Sequence, residues 1–267
     1  MTGRLAPIFQ RCRAEDRAAL VGFLPACYPS ADRSVSAFLA LLDAGCDLVE
    51  IGIPYSDPVM DGPVIQACAE AALRAGVRLR DVFGVLEAVA AAGGQAVIMT
   101  YFNPVYRHGV AAFARDVASA GGLGVITPDL IPDEAGDWLA AADEHDLDRV
   151  FLVAPSSTPA RLQATAAACR GFVYAASTMG VTGARDAVSS AAPDLVRRVR
   201  ETGIDVPVGV GLGVRSGPQA AQVAGFADAV IVGSAFVTAL DAGEPALRTL
   251  TAELAAGVRG ATAPQPA

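Results

Sequence analysis

The sequence contains no lysine, because all 20 of its basic residues are arginine. A Schiff base on a lysine amine is therefore excluded, and with it the lysine-dependent aldolases and any fold built around covalently held pyridoxal phosphate. Histidine is nearly absent too. His108 and His145 lie in segments that look like a turn and a helix end, so no histidine-rich metal site is expected. Catalysis must then use carboxylates, hydroxyls, thiols or the backbone.

Basic runs and long apolar runs are also missing. A net charge of −8 without a basic cluster argues against nucleic acid or an anionic membrane as a partner, although backbone amides could still bind a small anion. The longest uncharged stretch, residues 88–106, is broken by turn residues, so no membrane span is expected. The start is too polar for a signal peptide, and five well-separated cysteines without CxxC spacing suit a reducing compartment. We therefore expect a cytoplasmic protein.

The distribution of apolar residues predicts repeated strand–helix units. With 267 residues and 53% apolar composition, the chain can build one large core, and no break in composition indicates a second domain. The predicted strands are 20–26, 46–53, 96–101, 124–127, 149–154, 171–177, 206–211 and 229–232. Helical patterns between them cover 34–44, 79–92, 109–120, 135–144, 159–168, 193–202 and 218–224.

Eight such units favour an α/β fold of the closed (β/α)8 type, the TIM barrel, over an open doubly wound sheet. An extra helix at about 5–16 precedes the first strand. We expect residues 1–267 to form a single domain with a flexible tail from about 259 to 267. In such a barrel the loops at the carboxyl ends of the strands form the active face.

Two acids lie at this predicted face. Alternation along the second strand places Leu48, Glu50 and Gly52 on one side of a strand that is apolar on both faces. An isolated acid there costs several kcal/mol unless it is paired or neutralised, so we expect Glu50 to have a functional role. The alternative is a buried carboxyl bonded to backbone or to an arginine. Asp61 follows in a loop that three prolines stiffen, which suits an acid that must be held in position.

Glycines at the ends of the last strands predict an anion site. The seventh strand sends Gly209, Gly211 and Gly213 to one side, the eighth ends in Gly233 and Ser234, and Thr182-Gly183 follows the sixth. Backbone N–H groups and a helix N-terminus at these positions suit a phosphate group. The alternative is that the glycines only permit tight turns and interior packing.

These motifs resemble the tryptophan synthase alpha chain family. The resemblance rests on VEIGIPYSDPVMDGPVIQ, MTYFNPV, TPDLIPDE, GFVYAASTMGVTGAR, VGVGLGV and VIVGSAF, and it extends from about residue 20 to residue 240. It implies a TIM barrel and the reversible retro-aldol cleavage of indole-3-glycerol phosphate to indole and glyceraldehyde 3-phosphate.

The resemblance also implies a role for each matching residue. Glu50 would be the principal acid–base group, and Asp61 would hold the indole N–H. Positions matching the phosphate binders are Gly183, Gly213, Gly233 and Ser234. Substrate-binding positions around the indole or in its lid are Phe23, Ile65, Tyr101, Ile126, Tyr174 and Thr182. No metal and no cofactor is expected in this chain, whereas the implied partner, a tryptophan synthase beta chain in an α2β2 complex, would carry pyridoxal phosphate.

The chain departs from the family pattern at two places. A Pro-Ala-Cys-Tyr-Pro turn follows the first strand, which would place Cys27 near the substrate entrance, and Met179 alters the lid. Other interpretations remain open: an indole-releasing lyase that works without a partner, an inactive phosphate-binding or partner-activating subunit, and a flavin-dependent barrel.

Overall fold

A computed structural model describes residues 3–176, 191–211 and 213–260. Within these ranges strands alternate with helices along the chain. The strands are β1 (Ala19–Pro25), β2 (Leu48–Gly52), β3 (Ala96–Met99), β4 (Gly124–Thr127), β5 (Asp148–Val153), β6 (Val173–Ala176), β7 (Val208–Gly211) and β8 (Ala229–Val232). The helices are α1 (Ala6–Ala14), α2 (Ala31–Asp43), α3 (Pro63–Arg74), α4 (Leu79–Ala91), α5 (Phe102–His108), α6 (Val110–Ser119), α7 (Gly136–Glu144), α8 (Pro159–Ala168), α9 (Ala191–Arg200), α10 (Gly217–Ala224), α11 (Ser234–Asp241) and α12 (Glu244–Gly260), with a short 3-10 helix at Pro132–Glu134.

The strands form a closed barrel in the order β1 to β8. Each strand pairs in parallel with the next, and β8 pairs in parallel with β1. Helices cover the outside while side chains fill the inside, which explains strands that are buried on both faces. The predicted (β/α)8 barrel is confirmed, and the open doubly wound sheet is wrong.

All strand boundaries agree with the predicted ranges to within two residues, and β4 and β8 agree in full. The strand β3 ends at Met99, earlier than predicted, because Tyr101 is the N-cap of α5. The strand β7 starts at Val208 because Pro207 has no N–H to donate to a neighbouring strand.

Four helices, α3, α5, α11 and α12, were not predicted. The helix α3 begins at Pro63, inside the segment predicted to be loop, because proline at a first helical position lacks only an N–H that the helix would leave unpaired. Asp61 therefore lies directly before the N-cap of a helix, Gly62. The helix α12 continues to Gly260, so Arg259 and Gly260 do not belong to the expected tail, and residues 261–267 lie outside the described residues.

The amino-terminal end of the barrel is closed by α1. Leu5, Phe9 and other side chains of this segment join the cluster that fills the barrel interior, where the Phe9 and Phe172 ring centroids are 5.8 Å apart. The buried Asp148 carboxylate accepts hydrogen bonds from the backbone N–H groups of Arg4 at 3.1 Å and Leu5 at 2.8 Å. A plugged amino-terminal end leaves the carboxyl ends of the strands as the face that admits a ligand.

All five cysteines are free, and all but Cys169 are buried. Cys27 packs in the cluster between the barrel and its helices, with an exposed fraction of 2%. Burial raises the pKa of its thiol to about 11. The thiol is therefore not exposed to solvent, and the position of Cys27 near the substrate entrance stays a prediction. In the described part of the chain, no helix has the length and apolar character needed to cross a membrane.

Candidate active site at the carboxyl end of the barrel

Glu50 lies on β2 with its side chain inside the barrel. In the strand register it stands between Phe23 of β1 and Val97 of β3. Its exposed fraction is 0%, and neither carboxyl oxygen has a hydrogen-bond partner among the described residues. The alternative in which backbone or an arginine pairs this carboxyl is not found in that part of the chain.

Burial alone raises the pKa of the Glu50 carboxyl to about 8, because a low-dielectric environment disfavours its charged form. The group therefore holds a proton at neutral pH and releases it close to neutrality. Such a group can donate a proton and later accept one, as a general acid–base catalyst must. A buried polar group without a partner is costly, so its presence here indicates a function.

A cleft opens at the carboxyl end of β2. Gly52 lines this cleft and points to the same side of β2 as Glu50, which places Glu50 roughly 7 Å deeper in the barrel. Four predicted site residues also line it, namely Phe23, Asp61, Ile65 and Tyr101. The fold thus places Asp61 in the wall of the cleft and Glu50 below the cleft, inside the barrel.

Asp61 is held at the cleft by Tyr101. The Tyr101 hydroxyl donates to Asp61 Oδ1 at 3.1 Å and accepts from the Met60 N–H at 3.0 Å. Burial raises the pKa of the Asp61 carboxyl above its ordinary value, and the hydrogen bond from Tyr101 opposes that rise. The sequence gives no signal for this contact, because the two residues are 40 positions apart.

Tyr174 and Ile126 are not among the residues that line the cleft. Ile126 is fully buried in the interior cluster, and Tyr174 packs against the same cluster. The pKa of Tyr174 lies well above its ordinary value, first because of burial and then because the charges of Glu50 and Asp61 disfavour a phenolate. Tyr174 is therefore electrostatically coupled to both acids.

The predicted phosphate positions lie at the ends of two adjacent strands. Gly211 pairs with Ile231, so Gly213 and Gly233 follow β7 and β8 at matching heights. Gly233 is the N-cap of α11, and Ser234 is its first residue, so unpaired helix N–H groups point toward this end of the barrel. Gly213 has φ +68°, a conformation that glycine adopts without strain. The arrangement suits an anion.

Two further glycines of β7 serve interior packing instead. A Cβ on Gly209 would lie 3.1 Å from Ile231 and from Phe172, and a Cβ on Gly211 would overlap the Tyr174 hydroxyl. For these two positions the packing alternative explains the glycine.

Thr182, Gly183 and Met179 lie outside the described residues. Across residues 3–176, 191–211 and 213–260, no cluster of His, Cys, Asp or Glu is arranged to hold a metal ion. One contributor that the sequence analysis missed is Asp129, whose carboxylate accepts from the Phe102 N–H at 2.9 and 3.1 Å and so caps α5. Its position just after the predicted strand 124–127, at the active face of the barrel, is the sequence feature that indicates it.

Comparisons with known proteins point to one family. The family model described as tryptophan synthase alpha chain matches residues 9–262. The tryptophan synthase alpha chain of Mycobacterium tuberculosis H37Rv is 68% identical over 256 residues, which cover 96% of this chain and 94% of that protein. The alpha chain of Mycobacterium avium strain 104 is 68% identical over 257 residues, with the same coverage.

Solved structures give the same result. A structure of Mycobacterium tuberculosis tryptophan synthase superposes with a TM-score of 0.93 at 66% identity, over 97% of this chain and 99% of that one. A Pyrococcus furiosus structure, described as showing mutual activation in the tryptophan synthase a2b2 complex, has a TM-score of 0.82 at 31% identity, over 90% and 98%. The chain therefore belongs to the tryptophan synthase alpha chain family, whose members are carbon–carbon lyases that cleave indole-3-glycerol phosphate.

Proposed function

We propose that this chain cleaves indole-3-glycerol phosphate with Glu50 as the general acid–base group and Asp61 as the partner of the indole N–H. The observation that carries the proposal is the fully buried Glu50 carboxyl, which has no hydrogen-bond partner in the described chain and a pKa raised to about 8. It lies beneath a cleft that Asp61 lines.

The chemistry begins with a proton transfer from the Glu50 carboxylic acid to the indole ring carbon that bears the glycerol phosphate. The ring becomes a positively charged indolenine, and the Asp61 carboxylate compensates that charge at the ring nitrogen. The Glu50 carboxylate then takes the proton of the side-chain hydroxyl next to the ring. The carbon–carbon bond breaks, its electron pair returns to the ring, and indole and an aldehyde are released.

This sequence of proton transfers suits a chain without lysine. Carbon–carbon cleavage needs an electron sink, and the protonated indole ring supplies one within the substrate itself. The pKa of about 8 makes Glu50 predominantly protonated at neutral pH, which is the state that the first step requires.

The test is turnover of indole-3-glycerol phosphate by the purified chain and by two variants. Glu50→Gln should lower kcat on the order of 10²-fold or more while substrate binding is largely kept. Asp61→Asn should also be severely impaired, because a neutral amide cannot compensate the indolenine charge. Glu70→Gln, an exposed carboxyl on α3, is the matched control and should keep wild-type turnover. Wild-type rates in the Glu50 variant would exclude this assignment.

The phosphate is proposed to bind at Gly213, Gly233 and Ser234, with Thr182 and Gly183 contributed from residues 177–190. A leucine at Gly233 would crowd the Phe23 ring, since even a Cβ there lies 3.2 Å from it, and would fill the space of the anion. Glycerol phosphate at millimolar concentration should raise the Tm of the wild type and not of Gly233→Leu. No protection of the wild type would show that the phosphate site is misplaced.

The proposed partner is a tryptophan synthase beta chain, in an α2β2 complex in which the beta chain carries pyridoxal phosphate. No cofactor is proposed for this chain. Support comes from the relatives and from large apolar side chains exposed on segments that leave the cleft: Val59 is 68% exposed, Val64 37% and Tyr106 71%. Direct transfer of indole to a second enzyme would prevent the loss of a small neutral intermediate.

The partner proposal is tested by comparing turnover alone with turnover at saturating beta chain, together with gel filtration. Association and a marked rise in kcat are expected, since docking near Asp61 would order the loop that carries it. Full activity alone, without association at micromolar beta chain, would instead favour a lyase that works without a partner.

A further inference from the structure

Tyr101 contacts two consecutive residues of the loop that carries Asp61. Its hydroxyl donates to the Asp61 carboxylate at 3.1 Å and accepts from the Met60 N–H at 3.0 Å. One phenol hydroxyl thereby uses its single proton on the carboxylate and a lone pair on the backbone. The contact ties both the acid and its main chain to the end of β3.

Tyr101 is itself fixed by contacts from several elements. The Thr100 hydroxyl donates to the Tyr101 carbonyl at 2.9 Å, and Asp129 accepts from the next backbone N–H, that of Phe102. The Tyr55 ring packs on the Tyr101 ring with centroids 5.2 Å apart. Because these contacts already order the ring, little further entropy is lost when its hydroxyl holds a ligand-facing group.

Asp61 needs such support because of where it lies. Unlike Glu50, it is not on a strand. It lies in the connection between β2 and α3, where Ser56, Asp57 and Val59 are exposed. A carboxylate on a loop occupies one position only if other groups hold it, and a misplacement of about 1 Å is enough to cost a large part of the rate.

We propose that Tyr101 is a positioning residue for the reaction, whose hydroxyl holds the Asp61 carboxylate in the orientation that receives the indole N–H. This inference rests on the proposed function of Asp61. It differs from the expectation that Tyr101 only lines the indole pocket, because the Tyr101 hydroxyl affects the substrate indirectly, by orienting the Asp61 carboxylate.

The electrostatics of the pair agree with this role. Burial raises the pKa of Asp61, and the Tyr101 hydrogen bond counteracts the rise by stabilising the ionised carboxylate. The pKa of Tyr101 is raised, first by burial and then by the Asp61 charge, so the phenol keeps the proton that it donates. Without the hydroxyl, the pKa of Asp61 rises further and less of it is ionised near neutrality.

The experiment is a double-mutant cycle on indole-3-glycerol phosphate cleavage by the full chain with beta chain present. The variants are Tyr101→Phe, Asp61→Asn and the pair, with Tyr55→Phe as the matched control. Tyr55 shares the ring stack, but its hydroxyl accepts from Asn103 at 3.1 Å. The Tm of each variant is measured, and kcat and KM are determined across pH.

Tyr101→Phe should lower kcat about tenfold with little change in KM, because the ring stays and one charge-assisted hydrogen bond is lost. The acid limb of its kcat/KM profile should move to higher pH. In the Asp61→Asn background the same substitution should change kcat by less than about twofold, since the group it acts through is gone. Tyr55→Phe should resemble wild type.

An additive loss in the double variant, or a raised KM with an unmoved acid limb, would overturn the proposal and leave Tyr101 as a pocket wall. If instead Asp61→Asn alone retains wild-type turnover, the assignment of Asp61 fails. The two failures are therefore distinguishable in one data set.

Discussion

Replacing Glu50 by glutamine should change how the stability of the protein depends on pH. The carboxyl is fully buried without a partner in the described chain, and its pKa is raised from an ordinary 4.5 to about 8. Between these two values the folded protein holds a proton on Glu50 that the unfolded chain has released. The free energy of unfolding of the wild type should therefore fall as pH rises through that window.

The size of the effect follows from the pKa shift. Each unit corresponds to about 1.4 kcal/mol, so the shift of Glu50 amounts to a loss on the order of 5 kcal/mol over the whole window. Between pH 5.5 and 7.5, where the folded state is mainly protonated and the unfolded state mainly ionised, the wild type should lose about 2.5 kcal/mol through this group. Glutamine does not titrate and shows no such loss.

The assay is urea unfolding of wild type and Glu50→Gln at several pH values, followed by circular dichroism. The difference in unfolding free energy between the two proteins removes the contributions of all other titrating groups that they share. Glu87→Gln, which replaces an exposed carboxyl on α4, is the matched control for the change from glutamate to glutamine.

A difference between wild type and Glu50→Gln that stays flat from pH 5.5 to 7.5 would refute the reasoning. It would mean that the Glu50 carboxyl titrates near its ordinary value and is ionised at neutral pH. Glu50 could then not deliver the first proton of the proposed reaction. The same buried group is thus expected to lower stability at alkaline pH and to supply the catalytic acid.

Three other outcomes are expected. Asp148→Asn should lower the free energy of unfolding on the order of 3 kcal/mol in a urea titration, because an amide N–H would face the backbone N–H groups whose hydrogen bonds the buried carboxylate now accepts. The control Asp146→Asn, at a side chain that is 74% exposed, should cost less than about 1 kcal/mol. Gly211→Ala should lower turnover because its Cβ would overlap the Tyr174 hydroxyl, and adding Tyr174→Phe should restore part of it, an outcome that a purely backbone effect would not give. The Cys27 thiol, with a pKa of about 11, should react with iodoacetamide far more slowly in the native protein than in urea, and equal rates would contradict its burial.

Local patterns in the sequence were sufficient for the barrel and for the position of the two acids. Alternation on β2 places Glu50 inward from its neighbours alone, because strand geometry has a fixed period of two. The helix α3 was missed although Pro63 marked its start, since the same prolines also indicate a rigid loop. Helices α11 and α12 follow the last strand, where the alternation of strands and helices no longer helps to place them.

What only the tertiary structure decided are the contacts between residues far apart in the chain. The pKa of Glu50 depends on how completely three strands and the interior cluster exclude partners, and the sequence left its pairing open. Barrel closure brings separate βα units together at the carboxyl end of the strands. The hydrogen bond from Tyr101 to Asp61 and the packing of Tyr174 against Gly211 follow from that closure. The sequence determined the elements and the residues that face inward, because those depend on local periodicity. Closure of the barrel determined which of them meet, because distances between strands depend on the packing of the whole chain.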